Sequence, residues 1–187
     1  DYSVHIRRAS GSYQFPADFL LICASNPCPC GYYNDALHSC TCSEQSLANY
    51  RKRLSGPILD RIDIIIDVPR LDYDSLQQNS TRADIDSSQQ IQSRVSNAHH
   101  IQFKRYQRPI YNSRLSSSDL DTHCTLCAES SSFIRKAFQK GHLTARSYHK
   151  LLKVARTIAD INGDSTIKLA HIAEAFQYRQ SLFLKTI

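Results

Sequence analysis

The chain has 187 residues, of which 41% are hydrophobic and 21% charged, and its net charge is +6 with histidine neutral. That length carries one domain with a real core or two small ones, and the composition is that of a globular protein. No apolar run approaches the about 18 residues that span a bilayer and no signal-peptide pattern is present, so the expectation is a cytoplasmic protein without a membrane partner.

The positive charge favours polyanionic partners, though only mildly. The cysteines number seven. Without a secretion signal they read as thiols or metal ligands, not disulfides. The chain contains no methionine and opens in what reads as a strand, so it is expected to be part of a longer protein.

In chain order, residues 1–15 predict a hairpin, with Val4 and Ile6 alternating with polar neighbours and Gly11 in the turn. Phe19 to Ala24 is a continuous apolar run, the pattern of a strand buried on both faces of a parallel sheet. A cysteine-rich loop follows. A basic helix then spans Glu44 to Leu54, with Ser43 as its N-cap and Gly56-Pro57 as its breaker. Ile62 to Val68 predicts a second buried strand that Pro69 ends, and Cys23 inside the first run reads as packing. Residues 73–90 are rich in Asp, Ser, Gln and Asn and read as a linker.

Beyond the linker the pattern is helical. Helices are expected over Ile91 to Tyr106, in two pieces between Ser117 and Gln139 ending at Gly141, and from Lys168 to Phe183. The clearest is Ala145 to Ile161, where Tyr148, Leu151, Leu152, Ala155, Ile158 and Ala159 share one face. Thr144 is its N-cap, Leu143 and Tyr148 form a hydrophobic staple, and Gly163 lies just past its end.

Arg146 occupies the second position of that helix, where the free N–H groups and the dipole disfavour a cation. His149, Lys150, Lys153 and Arg156 continue a basic stripe. An arginine at a helix start makes an anion site, for which phosphate is the usual ligand; a solvated charged face is the alternative. Arg61 stands between Asp60 and Asp63. It is either a local salt-bridge residue or an arginine presented at a domain edge to a neighbouring subunit's phosphate. Asp67 ends an apolar run as the magnesium-binding strand of a nucleotidase does, but Val68 follows it where a glutamate is expected. No G-x-x-x-x-G-K followed by Ser or Thr is present, so Asp67 reads as a strand-end residue.

Cys28, Cys30, Cys40 and Cys42 form C-x-C-x9-C-x-C. Four thiolates can hold zinc tetrahedrally, with Pro27 and Pro29 stiffening the first pair and His38 as a spare ligand. C-x-C is tighter than the usual C-x2-C of zinc sites, and the alternative is free thiols in an exposed loop. Cys124 and Cys127 form a C-x-x-C on an expected helix, and core packing is the favoured reading there.

Three segments carry a family resemblance. Phe15-Pro-Ala-Asp-Phe-Leu-Leu-Ile-Cys-Ala-Ser-Asn-Pro-Cys-Pro-Cys-Gly-Tyr-Tyr33 resembles the sensor-1 strand and loop of magnesium-chelatase-like AAA+ ATPases. Arg53-Leu-Ser-Gly-Pro-Ile-Leu-Asp-Arg-Ile-Asp63 resembles their arginine-finger segment, and Leu143 to Asp160 their sensor-2 helix. The nearest group is the competence-associated ComM/YifB type.

The resemblance implies an α/β fold, the C-terminal part of an AAA+ parallel-sheet core over residues 1–72 followed by an all-helical lid over 91–187. It implies Asn26 as sensor 1, Arg61 as arginine finger and Arg146 as sensor 2; Arg156, in the basic stripe of the same helix, is a further candidate for the nucleotide. The Val4 to Ala9 segment resembles the family's pore hairpin, a candidate DNA contact. ATP and Mg2+ are the implied cofactors, with the phosphate-loop ligands upstream, so the chain alone is expected to be inactive. A hexameric ring acting in DNA branch migration is the implied assembly. The competing expectations are a zinc-stabilised nucleic-acid-binding module without enzymatic activity, and a true magnesium-chelatase subunit.

Overall fold

The computed structural model describes residues 2–53, 56–70, 86–141 and 143–179. Most of the linker reading and the end of the last expected helix lie outside these residues.

Strands β1 (Ser3–Arg8) and β2 (Gly11–Pro16) pair antiparallel, with Arg8 opposite Gly11 across the turn. Gly11 has φ +150, a conformation that L side chains rarely adopt. Val4 pairs with Phe15 and Ile6 with Tyr13, so the hairpin gathers four apolar side chains on one face, and all four are exposed. The bond from the Ala17 N–H to the Tyr2 carbonyl closes its base. Arg114 pairs with Asp18 and lies 3.7 Å from the Tyr2 ring centroid, which ties that base to the helical part.

The two expected buried strands do not form. Residues 19–24 and 62–68 carry no strand pairing, and Phe19, Leu20, Ile22, Ile66 and Val68 are all more than half exposed. A strand buried on both faces requires neighbours to bond its N–H and C=O groups, and the hairpin is the one sheet among the described residues. Cys23 is therefore exposed, not packed.

Helix α1 (Glu44–Arg53) starts where expected, with the Ser46 N–H bonded to Ser43 Oγ. A single turn, α2 (Gly56–Leu59), follows. Helix α3 (Ser88–Tyr106) begins three residues before the expected Ile91, because Ser87 and Gln90 make a reciprocal capping box. Its cap sits inside the segment read as linker, where apolar periodicity is weak and capping decides the boundary.

After a 3-10 turn (Asn112–Arg114) come α4 (Ser117–His123), α5 (Ala128–Gln139), α6 (Ala145–Ile161) and α7 (Leu169–Gln177). Cys124 and Cys127 do not share a helix. Cys124 closes α4 and is buried, as expected, whereas Cys127 is exposed and caps α5 by accepting from the Ser130 N–H.

Helix α6 matches its sequence pattern. Leu151, Ala155 and Ala159 are fully buried, and Tyr148 packs at the edge of the core beside buried Leu143. Thr144 and Ser147 form the capping box, and Gly163, with φ +73, follows the end. Around α6 pack Leu115, Leu120, Ile134, Ile167 and Ile172.

A buried polar cluster lies within this apolar core. The Asp160 side chain has no exposure and accepts both guanidinium N–H groups of Arg105, one at 3.0 Å. Arg156 Nε donates to it at 3.1 Å and Asn112 Nδ2 at 2.9 Å. Asn112 also donates to Thr157 Oγ1, and its backbone N–H bonds to buried Gln102. One carboxylate thus joins α3, the 3-10 turn and α6.

Removing one partner of such a pair leaves buried charge uncompensated, at about 3–5 kcal/mol. Asp160→Ala should lower the free energy of unfolding of the helical part by that amount in urea titrations read by circular dichroism. Thr144→Ala should cost about 1 kcal/mol through loss of the cap.

The loop before α7 contributes stability at neutral pH that is lost in acid. Lys168 holds the Asp164 carboxyl below its ordinary range, and His171 Nε2 stands 3.2 Å from it. A depressed carboxylate stabilises the fold above the unfolded-state pKa of about 3.9, and that stability is lost as pH falls through the lower folded value. Asp164→Asn should flatten the acid limb of the stability–pH curve below about pH 4 and leave the neutral limb parallel to wild type.

Candidate functional site

The Ala145–Ile161 helix places the strongest candidate. Arg146 is exposed in the first turn of α6, where N–H groups are free by the geometry of any helix start. Among the described residues it has no ion-pair partner. Four residues on, Lys150 is engaged, with Nζ 3.0 Å from Asp63 and bonded to the Arg61 carbonyl.

The segment around Arg61 is clasped at a second place. Arg179 reaches Asp60 at 3.1 Å and the Ile62 carbonyl at 3.3 Å, and the Ile65 N–H bonds to the Tyr178 carbonyl at 2.8 Å. The two aspartates flanking Arg61 are thus paired with Arg179 and Lys150. Arg61 itself is exposed on a turn in which its N–H bonds to the Ile58 carbonyl. The structure therefore brings Arg61 to the first two turns of α6, the region that carries Arg146.

The expected basic stripe fails at Arg156. That side chain is 1% exposed, and besides Asp160 it donates to the Ser165 and Asp164 carbonyls. It faces the core because Arg156 and Asp160 are spaced four apart, so one partner carries the other inward. Lys153 likewise bonds to the Ser113 carbonyl.

Asn26 lies elsewhere, exposed after the extended 19–24 segment. Its carbonyl accepts from Tyr50 Oη of α1 at 3.0 Å. A shallow groove lined by Pro29, Ser43, Asn49, Tyr50 and Arg53 runs along that helix. None of the contacts described above links Asn26 to Arg61 or Arg146.

The four cysteines after Asn26 converge. Cys28 Sγ is 3.3 Å from Cys30 Sγ and 3.8 Å from Cys40 Sγ, Cys30 and Cys40 are 3.5 Å apart, and all four sulfurs lie within 4.8 Å of one another. The backbone N–H of Tyr32 leads the contacts that lower the Cys30 thiol to about 5. At Cys42 the Cys30 N–H favours the thiolate, but desolvation and the crowded sulfurs outweigh it and push the thiol up to about 12. Gly31, with φ +85, makes the turn that returns the chain to the cluster. His38 is not in the cluster. It stacks on Tyr32 and meets Asp35 and Arg70.

Sequence reasoning missed Lys150 as a contact, and Arg179 and Asp160 altogether. Asp160 had a signal, a carboxylate on the apolar face of α6 next to Ala159. Arg179 had none, since its partners lie more than a hundred residues away.

Comparison with known proteins shows the family. Residues 1–76 match the family described as magnesium chelatase, subunit ChlI, and residues 85–179 match its C-terminal region. The competence protein ComM of Haemophilus influenzae is 41% identical over 174 residues, covering 93% of this chain and 33% of that protein. YifB of Salmonella typhimurium is 36% identical over 176 residues, covering 94% and 34%, and YifB of Escherichia coli gives the same figures. The chain belongs to the magnesium chelatase subunit ChlI family, in its ComM/YifB group. It spans about a third of the length of these relatives.

Arg146 is predicted to be dispensable for folding. Arg146→Ala should leave the thermal midpoint within the range of a neutral surface change, about 0.5 kcal/mol, while Asp160→Ala does not.

Proposed function

We propose that this chain supplies the second half of the nucleotide site of an AAA+ ATPase that remodels DNA, in the manner its ComM/YifB membership suggests. One observation carries the reading. An exposed arginine without an ionic partner among the described residues stands at the start of the best-formed helix, and the Arg61 segment is clasped to that same end. A cation there is unfavourable for the helix itself and favourable for bound phosphate.

In this reading Arg146 is sensor 2 and neutralises nucleotide phosphate. Arg61 is the finger offered to the next subunit of a ring, and Asn26 is sensor 1, orienting the attacking water. Arg156 serves the core and not the nucleotide. ATP with Mg2+ supplies the phosphoryl group, and its phosphate-loop ligands lie elsewhere in the full-length protein, consistent with relatives about three times longer. The helical part acts as the lid. The exposed apolar runs 19–24 and 62–68 are then sheet strands whose neighbours lie outside this chain. The hairpin offers exposed His5, Arg7 and Arg8 to a nucleic-acid backbone.

The test is steady-state ATPase activity of the full-length protein, with and without DNA. Arg61→Ala should cut turnover by about 10³ to 10⁵ with nucleotide binding retained. Arg146→Ala should weaken nucleotide binding or turnover about tenfold or more, as expected for a lost hydrogen bond to a charged group. Unchanged turnover in both variants overturns the reading.

A further inference from the structure

The cysteine loop carries an inference that does not depend on the nucleotide site. We propose that Cys28, Cys30, Cys40 and Cys42 bind one zinc ion, and that this ion clamps the loop bearing Asn26 to helix α1.

The donor set fits the metal. A tetrahedral zinc–thiolate centre has Zn–S bonds near 2.3 Å, which places its sulfurs about 3.8 Å apart. The sulfurs here stand 3.3 to 3.8 Å apart over three pairs, and all four fall within 4.8 Å. No disulfide joins them. Four free thiols this close gain little from one another, because a thiol is a weak donor and a weak acceptor. Cys28 is fully buried in a part of the chain that has almost no other buried residue, so the centre replaces a hydrophobic core there.

The loop between the two cysteine pairs is built, not slack. Asp35 Oδ1 accepts from the Leu37 and His38 N–H groups at 2.8 and 2.9 Å, and Asn34 and Gly31 both hold positive φ. Arg70 lies 3.6 Å from Asp35, and Arg51 stacks over Tyr33 at 4.6 Å. Four thiolates and one Zn2+ sum to two negative charges, and Cys42 stands just before the positive end of α1.

The consequence for position is direct. Cys28 is two residues after Asn26, and Cys42 is two residues before the first residue of α1. An ion bridging them holds both ends of the loop at one point. The Tyr50 hydroxyl then reaches back from α1 to the Asn26 carbonyl at 3.0 Å. Zinc and Tyr50 together fix Asn26 against α1 at two places.

The experiment measures metal in the full-length protein, purified under reducing conditions and passed over a chelating resin. Elemental analysis should find one zinc per chain. Cobalt exchange should give thiolate-to-cobalt charge-transfer absorption with the visible bands of a tetrahedral site. Cys30→Ser and Cys40→Ser should each lose the zinc and the cobalt bands, while Cys23→Ser and Cys127→Ser keep both. Hydrogen exchange over residues 24–50 should quicken at least tenfold in the zinc-free variants, with the helical core over 145–161 unchanged, which separates local release from global unfolding. Wild type without zinc that also fails to take up cobalt overturns the metal site. Retained slow exchange around Asn26 in a zinc-free, folded variant overturns the clamp.

Discussion

The buried carboxylate of Asp160 is the interaction on which the helical part depends. It is the common acceptor for Arg105 from α3, Asn112 from the 3-10 turn and Arg156 from its own helix. A carboxylate with no exposure is strongly unfavourable unless its oxygens are fully bonded. These three donors bond it, and they tie α3 and the 3-10 turn to α6 by directional contacts. Apolar packing around Leu151 and Ile172 supplies the larger favourable free energy but little directionality. The polar cluster gives the helices their register.

That register matters because the start of α6 is where the candidate chemistry sits. Lys150 on α6 and Arg179 just past α7 hold the turn carrying Arg61 through Asp63 and Asp60. Each of these pairs is partly exposed and contributes modestly by itself. Together with the Ile65–Tyr178 backbone bond they fix a segment that forms no regular element of its own. The turn carrying Arg61 is thereby tied to α6 and to the end of α7.

The region before α1 is organised by a different principle. Its large apolar residues are mostly outward, and among the described residues its single fully buried side chain belongs to the cysteine cluster, so local turns and that cluster stand where a core would. Asn26 sits at the junction of that loop and an extended apolar run, and its position follows from both.

The sequence alone determined the elements whose information is local. Helix α6 was legible to the residue, because a 3.6-residue apolar period and the cap pair Thr144 and Ser147 are contained within one stretch of chain. The hairpin and α1 were legible for the same reason, whereas the two C-x-C pairs left a zinc site and free thiols both open until the structure brought the four sulfurs together. The tertiary structure decided what depends on distant partners. The runs 19–24 and 62–68 have strand composition but no strand, since a buried strand is defined by neighbours and not by its own residues. Arg156 looked like surface charge until Asp160 and the 164–165 carbonyls drew it inside. The pairing of Asp60 with Arg179 joins residues 119 positions apart, and no pattern in either segment announces it. Periodicity and capping are properties of a segment, whereas burial of a charge is a property of whatever packs over it.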